Sequence, residues 1–255
     1  MDTNNTSFSI GQKFAAWCVH AFTASGIVVG FFAIVAITEG NIPLAFALLF
    51  ATLIIDGIDG TFARMFRVQE VLPNMSGKMM DAVIDFATYA IIPAFLIYAA
   101  VDADGQYLIP DALRSWSAII ILLVSALYYG KDGMISSDYY FIGFPVMWNA
   151  VAFYIYYVFG LPPMLNFIAI IVFAILHFVP IKYLYPSRTK KFMKFNILNT
   201  ILFVLGNVGL LIIVEGGYDA PTLLTVAKSL SILSVAYYGA LSVYHTYFDP
   251  DTKDS

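Results

Sequence analysis

The chain has 255 residues, 60% of them apolar and only 12% charged, with a mean hydropathy of +0.81. That balance excludes a soluble globular domain and calls for a bilayer. Thirteen basic against seventeen acidic residues leave a net charge of −4, which gives no footing for nucleic-acid binding.

The first thirteen residues are largely polar. The apolar run that follows, Phe14 to Ile37, is too long for a signal-peptide core and lacks a convincing cleavage site, so it is expected to be the first permanent span. Cys18 lies within it and, as the lone cysteine, allows no internal disulfide. A span needs about twenty mostly apolar residues. Further candidates follow at 42–66, 77–100, 115–130, 141–160, 163–182, 195–214 and 222–247, about eight in all. They predict an all-α fold, a polytopic integral membrane helical bundle. No linker, repeat or low-complexity tract divides it, so residues 1–255 read as a single membrane domain whose chemical motif occupies 56–85.

An even number of spans puts both termini on one side, and the Lys and Arg residues say which. Lys13, Arg64, Arg67, Lys78, Lys131, Lys182, Arg188, Lys190, Lys191, Lys194 and Lys253 fall in or beside segments on the N-terminal side. Only Arg114 lies in a loop on the other, where Glu39, Asp102, Asp104, Asp111, Glu215 and Asp219 collect. Both termini are therefore expected in the cytoplasm.

Spans two and three carry Asp56-Gly57-Ile58-Asp59-Gly60-Thr61-Phe62-Ala63-Arg64 and then Gly77-Lys78-Met79-Met80-Asp81-Ala82-Val83-Ile84-Asp85. Each carboxylate inside an apolar helix costs several kcal/mol if it stays charged and unpaired, so something must compensate them. Asp56 and Asp59 share one helix face, while Gly77, Asp81 and Asp85 form a stripe at i, i+4 and i+8. At about 1.5 Å per residue, Asp56 lies about 15 Å from its helix end near Phe66, and Asp85 about 12 Å from Gly77. An antiparallel pair would bring all four carboxylates to similar depths as a cage. All-oxygen, high-charge cages suit Mg²⁺ or Mn²⁺ rather than zinc, for which no Cys/His set exists. Four carboxylates suffice for two bridged ions, an arrangement that steadies attacking and leaving oxygens in phosphoryl transfer. Gly57, Gly60, Ala63 and Gly77 would let a helix or a flat ligand approach the backbone, and Arg64 can fork onto a phosphate. His20, His177 and His245 are scattered and read as isolated polar or core residues.

This stretch resembles the signature of the CDP-alcohol phosphotransferases, Asp-x-x-Asp-Gly-x-x-Ala-Arg, a spacer, then Gly-x-x-x-Asp-x-x-x-Asp, with every fixed position present. The spacer from Met65 to Ser76 is longer than is common in the family. With the doubled Asp-Gly-Ile-Asp-Gly, it looks like the bacterial branch that makes phosphatidylcholine. So do Trp17-x-x-His20-x-x-Thr23-Ala24-Ser25-Gly26, the segment from Asp138-Tyr139-Tyr140-Phe141 to Trp148-Asn149, and Phe178-Val179-Pro180-x-Lys182. The likeness runs from about residue 14 to 245. The span count also agrees with that branch rather than with the six-span core usual in the wider family.

The resemblance implies that Asp56, Asp59, Asp81 and Asp85 hold the metals, that Asp85 also acts as general base, and that Thr23, Gly60, Ala63, Arg64 and Gly77 receive the CDP-lipid. It implies a bacterial inner-membrane enzyme, its site facing the cytoplasm, that takes CDP-diacylglycerol and choline among membrane lipids and releases CMP. Family members are often homodimers. Choline's permanent charge cannot donate a hydrogen bond, so aromatic faces are expected around it. Asp138, Tyr139, Tyr140, Phe141, Trp148 and Asn149 are the candidates, with Tyr89 next in line. The open alternatives are another acceptor alcohol (ethanolamine, serine, glycerol phosphate or inositol) and, from another class, a divalent-metal transporter using the same aspartates.

Overall fold

The structure, a computed structural model, describes residues 8–102, 104–186 and 188–249; Lys253, counted above among the basic residues, lies outside them. Helix α1 (Ile10–Thr38) starts at a capping box, in which the Ser9 hydroxyl accepts the Gln12 N–H at 3.2 Å and the Ser9 N–H donates to the Gln12 side chain at 2.8 Å. Helix α2 (Ile42–Met65) starts at Asn41, whose side chain accepts the Leu44 N–H, with Pro43 in the first turn. After a single turn at Val68–Val71, Ser76 caps α3 (Gly77–Ala99). The middle of α3 widens to a π-helical stretch, Phe86–Ile91, immediately before Pro93, which has no N–H to continue the α-helical ladder.

The remaining helices are α4 (Asp111–Tyr129), α5 (148–159, its second half again π-helical), α6 (Pro163–Leu176), α7 (Met193–Glu215) and α8 (Pro221–Tyr247). Among the described residues, six helices are long and apolar enough to cross a membrane: α1, α2, α3, α4, α7 and α8. The two other expected spans, 141–160 and 163–182, correspond to α5 and α6. At about 1.5 Å per residue these reach about 18 and 21 Å, short of the ~30 Å hydrocarbon layer.

The rest of those two segments forms a small antiparallel pair, β1 (Tyr140–Ile142) with β2 (Lys182–Leu184), in which Phe141 faces Tyr183. The helical expectation holds for the fold as a whole, and this strand pair is an addition to it: Tyr-Phe-Ile and Lys-Tyr-Leu are apolar enough to resemble span ends, yet aromatic and branched residues equally favour strands. Gly143 follows β1 at φ 91°, where a Cβ would meet the His177 carbonyl oxygen at 2.0 Å. Only glycine fits there.

The core is a layer of aromatic and aliphatic side chains, among them Phe46, Ile92, Leu96, Trp148 and Phe153, where α2, α3 and α5 meet. Helices α7 and α8 pair differently. Asn199 donates to the Ser234 carbonyl at 3.1 Å, Tyr237 donates to Asn196 at 2.9 Å, and a Cβ at Gly206 would come within 2.9 Å of the Ser231 nitrogen. Small residues and interhelical hydrogen bonds are what hold helices together where lipid removes the hydrophobic drive. Leu127, Ile175, Leu198, Leu205 and Leu233 point outward and are exposed. Such a surface suits acyl chains and not water.

Candidate active site

Three helices build one cleft. From α1 come Thr23 and Gly26, from α2 Thr52, Asp56 and Asp59, and from α3 Asp81, Asp85 and Thr88. Gly26 sits where a Cβ would press on Ile84 at 3.2 Å, so α1 lies close over α3 beside the carboxylates. The i, i+4 stripe on α3 and the Asp56–Asp59 face on α2 therefore converge as their spacing requires.

One oxygen each from Asp56, Asp81 and Asp85 lies within 4.8 Å of the others. Asp59 lines the same cleft but stands outside this triad, beside the Thr23 hydroxyl and the Gly60 N–H. The expected four-fold cage is thus a triad with a flanking fourth member. Tyr89, buried in the π-helical stretch, donates its hydroxyl to Asp56 Oδ2 at 2.8 Å. Asp56 and Asp85 face each other closely enough to hydrogen bond.

Like charges this close in an apolar surround repel strongly unless a cation lies between them. The donor set is all oxygen, which matches a hard divalent ion. The triad fits such an ion.

The remaining expected site residues divide. Gly60 and Gly77 leave space beside the cleft, where a Cβ would find only the Arg64 guanidinium at 3.4 Å or His20 Cε1 at 3.5 Å. Ala63 packs against Ala16, Val19, Val68 and Val71, and exposed Arg64 donates to Thr61 at 3.1 Å. The segment around β1 holds Asp138 between Ser136 and Lys182. Tyr139 is exposed at φ 65°, and Tyr140 is buried against His245. Phe141 stacks on Tyr185 at 4.8 Å. Trp148 and Asn149 are not part of that group. The Trp148 indole is fully buried, donates to Ser125 Oγ at 2.9 Å and touches the His177 ring, while the Asn149 side chain turns back onto the Ala150 N–H.

Sequence reasoning passes over several neighbours of the aspartates. Thr52 and Thr88 extend the two acidic stripes by one turn, at Asp56 − 4 and Asp85 + 3, so helical spacing alone is enough to mark them. Tyr129, Tyr185 and Arg188 come within electrostatic reach of Asp81 from α4 and from the loop after β2. Nothing local in those segments signals this. Arg188 also sits 5.4 Å from the Tyr185 ring and 5.7 Å from that of Tyr139.

The sequence profile of the family described as CDP-alcohol phosphatidyltransferase matches residues 19–205, which include every element of the cleft. A Borreliella burgdorferi protein named phosphatidylcholine synthase is 36% identical over 234 residues, covering 91% of this chain and 94% of that protein. A Pseudomonas aeruginosa protein of the same name is 37% identical over 220 residues, covering 86% and 89%. A third, from Legionella pneumophila, is 33% identical over 248 residues, covering 94% and 92%.

Proposed function

The chain belongs to the CDP-alcohol phosphatidyltransferase family, a membrane transferase of phospholipid biosynthesis, and from that we propose that it transfers the phosphatidyl group of CDP-diacylglycerol to choline. The products are phosphatidylcholine and CMP. The observation that carries this reading is the likeness over nearly the whole chain to proteins named phosphatidylcholine synthase, joined to an aspartate triad at the motif shared with the family. The metal-transporter alternative falls with the family assignment.

The choline hydroxyl oxygen attacks the phosphorus that bears the diacylglycerol. One P–O bond forms, the P–O bond to CMP breaks, and Asp85 takes the hydroxyl proton. Asp56, Asp81 and Asp85, with Asp59 beside them, are the residues that would hold Mn²⁺ or Mg²⁺, as two ions. Such an ion neutralises charge on the diphosphate and on the departing oxygen when bound. No covalent enzyme intermediate is required. Thr23, Gly60, Ala63, Arg64 and Gly77 receive the CDP-lipid, and Arg188 adds a second guanidinium near the same carboxylates.

The ammonium of choline is assigned to the segment Asp138–Phe141. Phe141 supports this through its stack on Tyr185, which itself lies near the triad. Trp148, closed inside the core, serves packing instead.

Residues 1–255 form one domain of about eight membrane-embedded segments, in which α5 and α6 need their flanking extended residues to complete a crossing, and both termini and the site face the cytoplasm of a bacterial inner membrane. The bias of Lys and Arg toward the N-terminal side supports that orientation.

Purified protein given CDP-diacylglycerol, Mn²⁺ and a panel of labelled alcohols is expected to make phosphatidylcholine and release equimolar CMP. Equal or faster use of ethanolamine, serine, glycerol phosphate or inositol would overturn choline as the acceptor. Tyr89→Phe removes the hydrogen bond that orients Asp56, and such outer partners are worth about 10- to 100-fold in metal affinity. The variant should need about tenfold more Mn²⁺ and approach parental turnover at saturation. An unchanged Mn²⁺ requirement would reduce Tyr89 to a packing residue.

A further inference from the structure

Helix α1 carries a second polar side chain beside this cleft, one turn before Thr23. His20 is buried, only 5% exposed, and its Nε2 has no protein partner. Its Cε1 lies 3.5 Å from where a Cβ of Gly77 would stand, so the imidazole edge faces bare backbone at the start of α3. The Trp17 ring, 6.0 Å away and edge-on, braces the other side. A buried ring nitrogen without a partner costs stability and calls for an explanation.

The spacing of the three helices supplies one. Thr23 follows His20 by three residues, Asp81 follows Gly77 by four, and Gly60 is adjacent to Asp59. His20 and Gly77 therefore form the layer next to Thr23 and Asp81, about 5 Å nearer the ends where Ser9 and Ser76 cap their helices. A diphosphate anchored at the aspartates has its nucleoside on the polar side and its acyl chains in lipid. The nucleoside then meets this layer, where two glycines leave room for a flat group and one imidazole nitrogen awaits a hydrogen bond.

We infer that His20 Nε2 hydrogen-bonds the cytidine portion of the CDP-lipid and of the product CMP, and so helps to select and position the nucleoside rather than the phosphates. The inference rests on the phosphatidyl-transfer reading above. The ring nitrogen serves as donor or acceptor according to its tautomer, which suits either a ribose hydroxyl or the base edge.

The test measures binding of two probes to purified full-length protein in Mn²⁺: CMP, and pyrophosphate, which lacks the nucleoside. His20→Leu is expected to weaken CMP about tenfold, the usual scale for one lost hydrogen bond to a buried group, and to leave pyrophosphate within about twofold. The Michaelis constant for CDP-diacylglycerol should rise in parallel while that for choline stays put. His20→Gln, which keeps a hydrogen-bonding group and guards against a fold defect, should recover part of the CMP affinity. Parental CMP binding by His20→Leu overturns the inference. So does an equal loss of CMP and pyrophosphate, which would make His20 a prop for the aspartates. A parent protein that binds pyrophosphate but no CMP instead overturns the phosphatidyl-transfer reading, and this inference with it.

Discussion

Asp56→Asn is expected to cut turnover by on the order of 10³ while leaving the protein folded, since a cation at such a site is worth several kcal/mol to the transition state. Asparagine has nearly the same volume and still offers an oxygen to the Tyr89 hydroxyl, so the packing around Asp56 need not change. It also removes one of three acidic groups whose oxygens lie within 4.8 Å of each other, which lessens the crowding of like charge in the metal-free protein. The variant should therefore be at least as stable as the parent without metal and gain less from its addition. A ligand that binds only the folded state raises the thermal midpoint in proportion to its affinity. Parallel Mn²⁺ titrations of midpoint and turnover check both halves. Near-parental turnover with the parental Mn²⁺ response would remove Asp56 from the metal site.

The part of the site that local spacing determines is legible in the amino-acid sequence. Asp56 and Asp59, three apart, and Asp81 and Asp85, four apart, must each share a helix face, and a short connection makes their helices neighbours. What spacing does not give is which carboxylates come closest. That depends on the rotation of α2 against α3, and here it leaves Asp59 beside Thr23 rather than within the triad. The π-helical stretch after Asp85 is equally hidden. Phe-Ala-Thr-Tyr-Ala-Ile reads as ordinary apolar helix, although Tyr89, four residues after Asp85, already continues the acidic stripe and so comes to face Asp56.

Contacts between segments distant in sequence account for the other gaps. β1 and β2 lie about forty residues apart, and each is three residues long, too short for alternation to register against a run of apolar neighbours. Pairing them draws Tyr185 and Arg188 toward the aspartates, so the basic loop after β2, which looks like a topology signal alone, also borders the site. Trp148 is the converse case. Its nearness in sequence to a candidate aromatic segment invites grouping with it, while the chain turns at Gly143 and buries that ring against His177. In a chain with 16% aromatic residues, composition says little about which rings meet a ligand.

The four aspartates differ in what accompanies them, and that difference leads to the second large effect. Asp56 receives the Tyr89 hydroxyl, Asp59 has Thr23, the Gly60 N–H and the charge of Arg64, and Asp81 has the charge of Arg188. Asp85 is surrounded by the other carboxylates and the Tyr129 ring, with no cation or N–H donor set against it among the described residues. A carboxylate so placed is the one best suited to accept a proton, because environments that differ between paired acids divide their roles. Asp85→Asn should accordingly lose about 10² to 10⁴ in turnover, the range of general-base assistance, while CMP binding in Mn²⁺ weakens much less than in Asp56→Asn. Binding of CMP needs the diphosphate end of the cleft but no proton transfer, so calorimetry with CMP separates the two functions of the triad. Single-turnover release of CMP from CDP-diacylglycerol in the presence of choline then reports the chemical step directly. If Asp85→Asn and Asp56→Asn lose CMP affinity equally, Asp85 is a metal ligand alone and not the base, and the proton of the acceptor must leave by way of water.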